Sequence, residues 1–158
     1  AQPRLVHRSS FVAVPDLGSA VRALRLLGDR VRETTVLEIP SMSPGEYRVP
    51  TAPDSHLTLH RVTETPNQMT AEIEAPAGWI VLRDQILPGW RAWIDDSEVP
   101  ITPADVLFRA VEWPGGRHTL RFAFEPTSFR LGWFISLVTG AALLAITLRR
   151  RERISPRR

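Results

Sequence analysis

The residues of this chain best suited to chemistry are tryptophans and aspartates in its middle part. Tryptophan faces stack on sugar rings, and buried tryptophan also fills protein cores. Trp90 and Trp93 are three residues apart, so on a regular strand they face opposite sides and only one can lie in the core. We predict that at least one of them contacts a ligand, the membrane or a protein, with core filling as the alternative. The candidates are Trp93 first, then Trp90 and Trp113.

Carboxylates lie beside predicted turns, where a pair of them could serve a glycoside hydrolase. Aspartate at a turn more often accepts backbone N–H groups, so we assign a structural role to Asp84, Pro88, Gly89 and Asp95, and no catalytic residue. His56 and His60 would lie about 13 Å apart on a strand, too far to share an ion. We therefore predict no metal site and no cofactor.

The positive charge is confined to one end of the chain. All 20 basic residues are Arg, against 17 acidic residues, which gives a net charge of +3. The last ten residues hold six Arg and one Glu, so residues 1–148 carry −2. A mildly acidic body is unsuited to phosphate backbones, which argues against nucleic-acid binding. The absence of Cys excludes disulfides and thiolate chemistry.

An uncharged run of 18 residues, Leu131 to Leu148, precedes the basic end. It predicts a transmembrane helix over 127–148, a cytoplasmic tail over 149–158 and an extracytoplasmic body before them. Gly132, Ser136 and Gly140 recur every four residues, which favours close packing against another membrane helix. The alternative is that membrane helices simply tolerate such residues. The start at Ala1 is expected of a processed protein or of the end of a longer one.

The body is predicted to be mainly β. Residues 1–56 form a small α/β prelude, with Asp16 as helix cap and Gly28 as helix stop, followed by a Pro-rich loop. In 57–126 short apolar runs alternate with turn signals, with no helical segment between them. This spacing predicts an antiparallel β-sandwich or jelly-roll-like outer domain.

The run from Ile80 to Leu137 resembles the C-terminal region of the YfhO-like family of bacterial multi-spanning membrane proteins. The residues that carry the resemblance include Leu82, Asp84, Pro88-Gly89-Trp90, Ala92, Asp95, Arg109-Ala110-Val111, Pro114, Gly116, His118, Phe122, Pro126, Ser128-Phe129 and Gly132. The chain departs from the family at Ile86-Leu87, where aromatic residues are usual, and at Asp95-Asp96, where Asp-Gly is frequent. The missing Gly predicts a longer hairpin loop than a type I′ turn.

The resemblance implies a place in the bacterial cell membrane and a role in envelope glycosylation. The chain would be the accessory outer domain and last span of a glycosyltransferase-like protein that uses lipid-linked sugars. Expected partners are the lipid bilayer, other transmembrane helices, and an envelope glycan or lipid-linked acceptor. The alternative is a membrane-anchored, non-catalytic interaction or structural module. A hydrolase that uses Asp84 and Asp95 is the least favoured hypothesis.

Overall fold

The structure is a computed structural model that describes residues 4–48 and 56–154. It divides into two compact units, Ala1–Phe124 and Glu125–Arg158. The strands of the first unit are β1 Leu5–Arg8, β2 Ser10–Val14, β3 Thr34–Glu38, β4 Gly45–Arg48, β5 Thr58–Thr65, β6 Gln68–Ala75, β7 Gly78–Leu82, β8 Trp90–Ile94, β9 Ser97–Val99, β10 Thr102–Ala104, β11 Phe108–Trp113 and β12 Gly116–Phe124. Its helices are α1, Leu17–Leu27, and a 3₁₀ helix, Gly28–Arg32; the second unit contains α2, Thr127–Ile154.

The strands form two sheets. One has seven strands in the order β1-β7-β11-β10-β3-β2-β4, and the other has five in the order β5-β6-β12-β8-β9. Neighbouring strands are antiparallel except β2 and β3, which are parallel and are joined through α1. The prediction of a mainly β, antiparallel-rich body is confirmed, and the two sheets are compatible with a β-sandwich.

The seven-stranded sheet is strongly curled. Three strands separate β2 from β7 in the sheet order, yet Phe11 of β2 and Trp79 of β7 touch with ring centroids 5.8 Å apart. Only Ser9 separates β1 from β2, although they are five positions apart in the sheet. Both facts require the face that carries Phe11 and Trp79 to be concave. This face holds its own apolar cluster, which includes Ala13, Leu37, Val81, Ala104 and Ala110.

The opposite, convex face is covered by two other elements. Because side chains alternate along a strand, Ile80 and Leu82 of β7 point away from Trp79. They join Ile73, Leu120 and Phe122 of the five-stranded sheet in the largest core cluster. Helix α1 covers the β2–β3 part of the sheet. Ala20, Ala23, Leu24 and Leu27 of this helix belong to the apolar cluster beneath it and share one helical face.

The ends of α1 follow the sequence signals. Asp16 caps the helix by accepting the Ser19 N–H at 2.8 Å, and Gly28 ends it with φ +52°. Leu17 is 53% exposed. It lies in the first turn, before the helix reaches the sheet.

The predicted boundary between prelude and sandwich is not seen in the sheet topology. Strands β1 to β4 share one sheet with β7, β10 and β11. The predicted Pro-rich loop also contains β4, which pairs with β2. Strand pairing between distant segments decides both points, and local composition carries no signal for it.

The β8–β9 hairpin is tighter than predicted. Ile94 pairs with Ser97, so Asp95 and Asp96 form a two-residue loop. Asp95 has φ +54°, which costs a non-glycine residue some strain. The Asp95 carboxylate offsets part of this strain by accepting a hydrogen bond from the Thr119 N–H at 2.9 Å. An aspartate therefore holds the turn without glycine.

Helix α2 carries the predicted membrane segment. Within residues 4–48 and 56–154, no helix was found that is both long and apolar enough to pass through a membrane, so the prediction of a span over 127–148 is not confirmed. An added Cβ at Gly132 or Gly140 would meet no described atom within 4 Å, and Ser136 is exposed, so this small-residue face is open. Residues 149–154 of the predicted tail continue the helix, and 155–158 lie outside the described residues.

Candidate functional site

A cavity of about 710 Å³ opens at one mouth of the curled sheet. The residues around it come from the start of β7, the end of β11, the end of β3 and the loop after β3. The lining residues that decide its chemistry are Phe11, Met42, Trp79 and Glu112, and Glu38 at the end of β3 also borders it. The site therefore combines aromatic rings, a flexible apolar side chain and the Glu112 carboxylate.

Neighbouring strands fix the aromatic wall of this cavity. Trp79 lies directly across from Glu112 in the β7–β11 pairing, so ring and carboxylate are cross-strand neighbours. Phe11 meets Trp79 at an interplanar angle of 65° and stacks on Tyr47 with centroids 5.5 Å apart. The Tyr47 hydroxyl donates to the Ser43 carbonyl at 2.8 Å, which ties the loop after β3 to this wall.

The two carboxylates differ in setting. Glu38 is partly buried at the end of β3, and burial, with the nearby charge of Asp16, raises its pKa. Glu112 is exposed to solvent. Carboxylates beside an aromatic wall can accept hydrogen bonds from hydroxyl groups of a ligand whose apolar face packs on the rings. Sugars have both kinds of surface.

Of the predicted contact residues, Trp93 lies on the outer face of the five-stranded sheet. It is only 9% exposed, because the Arg121 guanidinium lies 3.8 Å from its ring centroid and that of Arg91 5.1 Å away. Arginine side chains thus cover the face expected to contact a ligand. The prediction that Trp90 and Trp93 face opposite sides is confirmed, since Trp90 packs against the core between the sheets.

Trp90 and Trp113 are both packing residues in this structure. Trp113 is 1% exposed and borders the 710 Å³ cavity from the core side. Trp90 packs on Phe124 at 5.5 Å and lines a second cavity of about 410 Å³ beside the Pro88-Gly89 turn. Gly89 has φ +105°, which confirms that a turn requiring glycine lies here.

Asp84 proves to be the centre of an ion-pair network. It binds Arg4 through both carboxylate oxygens and accepts from the Nη2 of Arg109 at 3.2 Å. Arg109 is 2% exposed, and its guanidinium carbon lies 3.7 Å above the Trp90 ring. Among residues 4–48 and 56–154, its Nε and Nη1 find no hydrogen-bond partner. Asp84 and Trp90, which carry part of the family resemblance, therefore enclose a buried charge.

Asp95 also has a partner that sequence analysis did not identify. Its carboxylate lies 2.8 Å from the Nδ1 of His118, whose Nε2 is 3.0 Å from the Gly115 carbonyl. The hydrogen bond to Asp95 raises the pKa of His118, while the Thr119 N–H and His118 lower the pKa of Asp95.

This pair predicts a defined pH dependence of stability. Protonated His118 is favoured by folding, so its contribution is complete below about pH 6.5 and fades as pH rises through the raised pKa. The Asp95 contribution is complete above about pH 3.9 and fades as pH falls through the lowered pKa. An NMR titration of the four imidazoles should show His118 with a raised pKa. Asp95→Asn, which keeps the bond to Thr119, should return that pKa to the ordinary range; an unchanged value would contradict the pairing.

The residues that line the 710 Å³ cavity were not predicted as a site from the sequence. Trp79 precedes the apolar run that predicted β7, and Glu38 and Glu112 lie far apart in the chain. Only the strand order brings them together. Among the described residues, no group of three His, Asp or Glu side chains is placed to hold a metal ion.

Comparison of the chain with protein-family models, with curated proteins and with solved structures finds no significant match.

Proposed function

We propose that this chain is a non-catalytic outer domain that binds a carbohydrate of the bacterial envelope in the 710 Å³ cavity. The observation that carries the proposal is the placement of Trp79, Phe11 and Glu112 around one concave site. The volume lies in the range of small-ligand sites and would take one or two sugar rings.

In this proposal the domain serves an envelope glycosyltransferase-like membrane protein, as the YfhO-like resemblance implies. The cavity would hold an envelope glycan or a lipid-linked acceptor while another part of the assembly performs transfer. In this proposal the ligand contacts the cavity wall and not Trp93, because Arg91 and Arg121 cover the Trp93 ring. Asp84, Pro88, Gly89 and Asp95 would stabilise the fold of the domain.

Glycan binding is tested by titrating envelope oligosaccharides against the full chain in detergent. Glu112→Gln is expected to weaken binding about tenfold, because a hydrogen bond to a charged acceptor is worth roughly 1.5 kcal/mol. Glu112 is exposed, so this change should leave the fold intact. Asp29→Asn alters an exposed carboxylate away from the cavity and serves as the matched control. Equal affinities of both variants, or no binding of any envelope oligosaccharide by the parent chain, would contradict the proposal.

Helix α2 would attach the domain to the bacterial membrane, either in lipid or against other apolar helices. Apolar side chains on all sides of a helix need such surroundings. The large apolar side chains of α2 that are more than half exposed are Trp133, Phe134, Ile135, Leu137, Val138, Leu143 and Leu144. The same surface supports the alternative, a membrane-anchored module that binds another envelope protein without a glycan.

The topology proposed here places the body outside the cell and the Arg-rich end in the cytoplasm. Ser97 is exposed in the β8–β9 hairpin, so a Ser97→Cys variant offers the single thiol of the chain. We expect a membrane-impermeant maleimide to label this variant in intact spheroplasts. Labelling that requires lysis would reverse the proposed orientation, and the parent chain, which has no Cys, controls for background.

A further inference from the structure

A third cavity lies at the opposite ends of the strands that form the proposed glycan site. Arg83 directly follows β7, Asp105 directly follows β10, and Phe108 begins β11. Arg32 ends the 3₁₀ helix just before β3. These four residues and the apolar Leu24 and Val31 enclose about 330 Å³. The cavity is therefore separate from the site described above.

Positive charge is concentrated around this cavity. Arg32 and Arg83 line it, and the half-buried Arg8 lies close enough to interact with Arg83 and Asp105. Burial and then the charge of Arg83 lower the pKa of Arg8, an effect that Asp105 and Glu33 only partly oppose. Three guanidinium groups therefore lie in or beside the cavity, with the Asp105 and Glu33 carboxylates near Arg8.

The Asp105 carboxylate in this cavity accepts hydrogen bonds from the neighbouring strand β3. Oδ1 of Asp105 accepts from the Val36 N–H at 2.7 Å and from the Thr35 hydroxyl at 2.9 Å. The residue has φ +48°, a strained conformation that these bonds offset. Burial raises the pKa of Asp105, whereas its hydrogen bonds and the charges of Arg8 and Arg83 oppose that change.

We propose that this cavity binds a phosphate group, with the guanidinium groups of Arg32 and Arg83 as its donors. Planar guanidinium groups match the geometry of phosphate oxygens, and a partly desolvated site strengthens such bonds. The apolar wall of Leu24, Val31 and Phe108 would accommodate an organic group carried by the phosphate. The proposal does not depend on glycan binding, since none of these residues lines the larger cavity.

Calorimetric titration of the full chain with inorganic phosphate, phenyl phosphate and benzoate tests this site. Saturable binding of either phosphate, tighter than that of benzoate, is expected. Tighter binding of phenyl phosphate would identify an organic phosphate as the source, and equal binding would identify free phosphate. Benzoate binding as tight as phenyl phosphate, or no saturable phosphate binding, would overturn the proposal.

Two variants separate a ligand role from a structural one. Arg32→Gln should weaken phosphate binding at least about tenfold, whereas Arg25→Gln, exposed on α1, should leave it unchanged. Asp105→Asn keeps an oxygen for the Val36 N–H and removes a negative charge, so phosphate should bind several-fold more tightly. Thermal melts verify that each variant is folded. Unchanged affinity in folded Arg32→Gln would refute the assignment.

Discussion

Replacing Asp84 with Ala is expected to lower the free energy of unfolding by about 3 kcal/mol. The change leaves the guanidinium of Arg109, which is 2% exposed, without its one described hydrogen-bond acceptor. Removing one partner of a buried pair is costly because the remaining charge keeps its desolvation penalty. The estimate is at the low end of that range because the Asp84 side chain is 25% exposed and water can partly replace it.

A second substitution distinguishes this mechanism from simple loss of contacts. In Asp84→Ala/Arg109→Met the buried charge is gone, and an apolar side chain of similar length lies on the Trp90 ring. Buried ion pairs replaced by apolar residues are often neutral in stability, so we expect the double variant to recover most of the loss. Chemical denaturation of the four proteins of this cycle measures the coupling.

The matched control for this cycle is Glu64→Ala. Glu64 pairs with the same Arg4 but is 46% exposed, so its loss should cost less than about 1 kcal/mol. A loss in Asp84→Ala no larger than that in Glu64→Ala would show that the Arg109 charge is not the source of the effect. A double variant less stable than Asp84→Ala would lead to the same conclusion.

Local sequence patterns predicted the individual elements of this fold better than their arrangement. The alternation of Met69, Ala71 and Ile73 predicts β6 because a half-buried strand exposes every second residue. Asp16 and Gly28 predict the limits of α1 because caps are local interactions. The curl of the larger sheet depends on which distant strands pair, and short-range periodicity carries no information on that.

Because strand pairing cannot be derived from local patterns, only part of the candidate site was predictable from the sequence. The opposite facing of Trp90 and Trp93 follows from strand geometry alone and was predictable. The covering of Trp93 depends on the pairing of β8 with β12, which places Arg121 directly across from it. Likewise, Trp79 meets Glu112 only through the β7–β11 register. Chemistry that is assembled across strands is therefore visible only once the register is known.

Gly78 illustrates how this register constrains a single residue. It begins β7 at the edge of the large cavity and has φ +151°, a conformation that residues with a side chain rarely adopt. A Cβ at this position would lie 2.7 Å from the backbone carbonyl oxygen of Arg8 and 2.7 Å from Nε2 of His7. The imidazole could rotate away, but the carbonyl belongs to β1, which pairs with β7.

Gly78→Ala should therefore lower the free energy of unfolding of the β-rich unit by about 2–4 kcal/mol, from backbone strain plus displacement of β1. For a chain of this size such a loss lowers the melting temperature by roughly 10 °C. Gly45→Ala is the matched control, since its Cβ would meet the nearest atom, in the Tyr47 ring, at 3.7 Å without a positive φ. It should change stability by less than about 0.5 kcal/mol.

Because Gly78 adjoins Trp79, a shift of β1 and β7 would also move the aromatic wall, so glycan affinity should fall together with stability only in Gly78→Ala. Equal melting temperatures for the two variants would mean that β1 does not constrain β7 as the structure indicates.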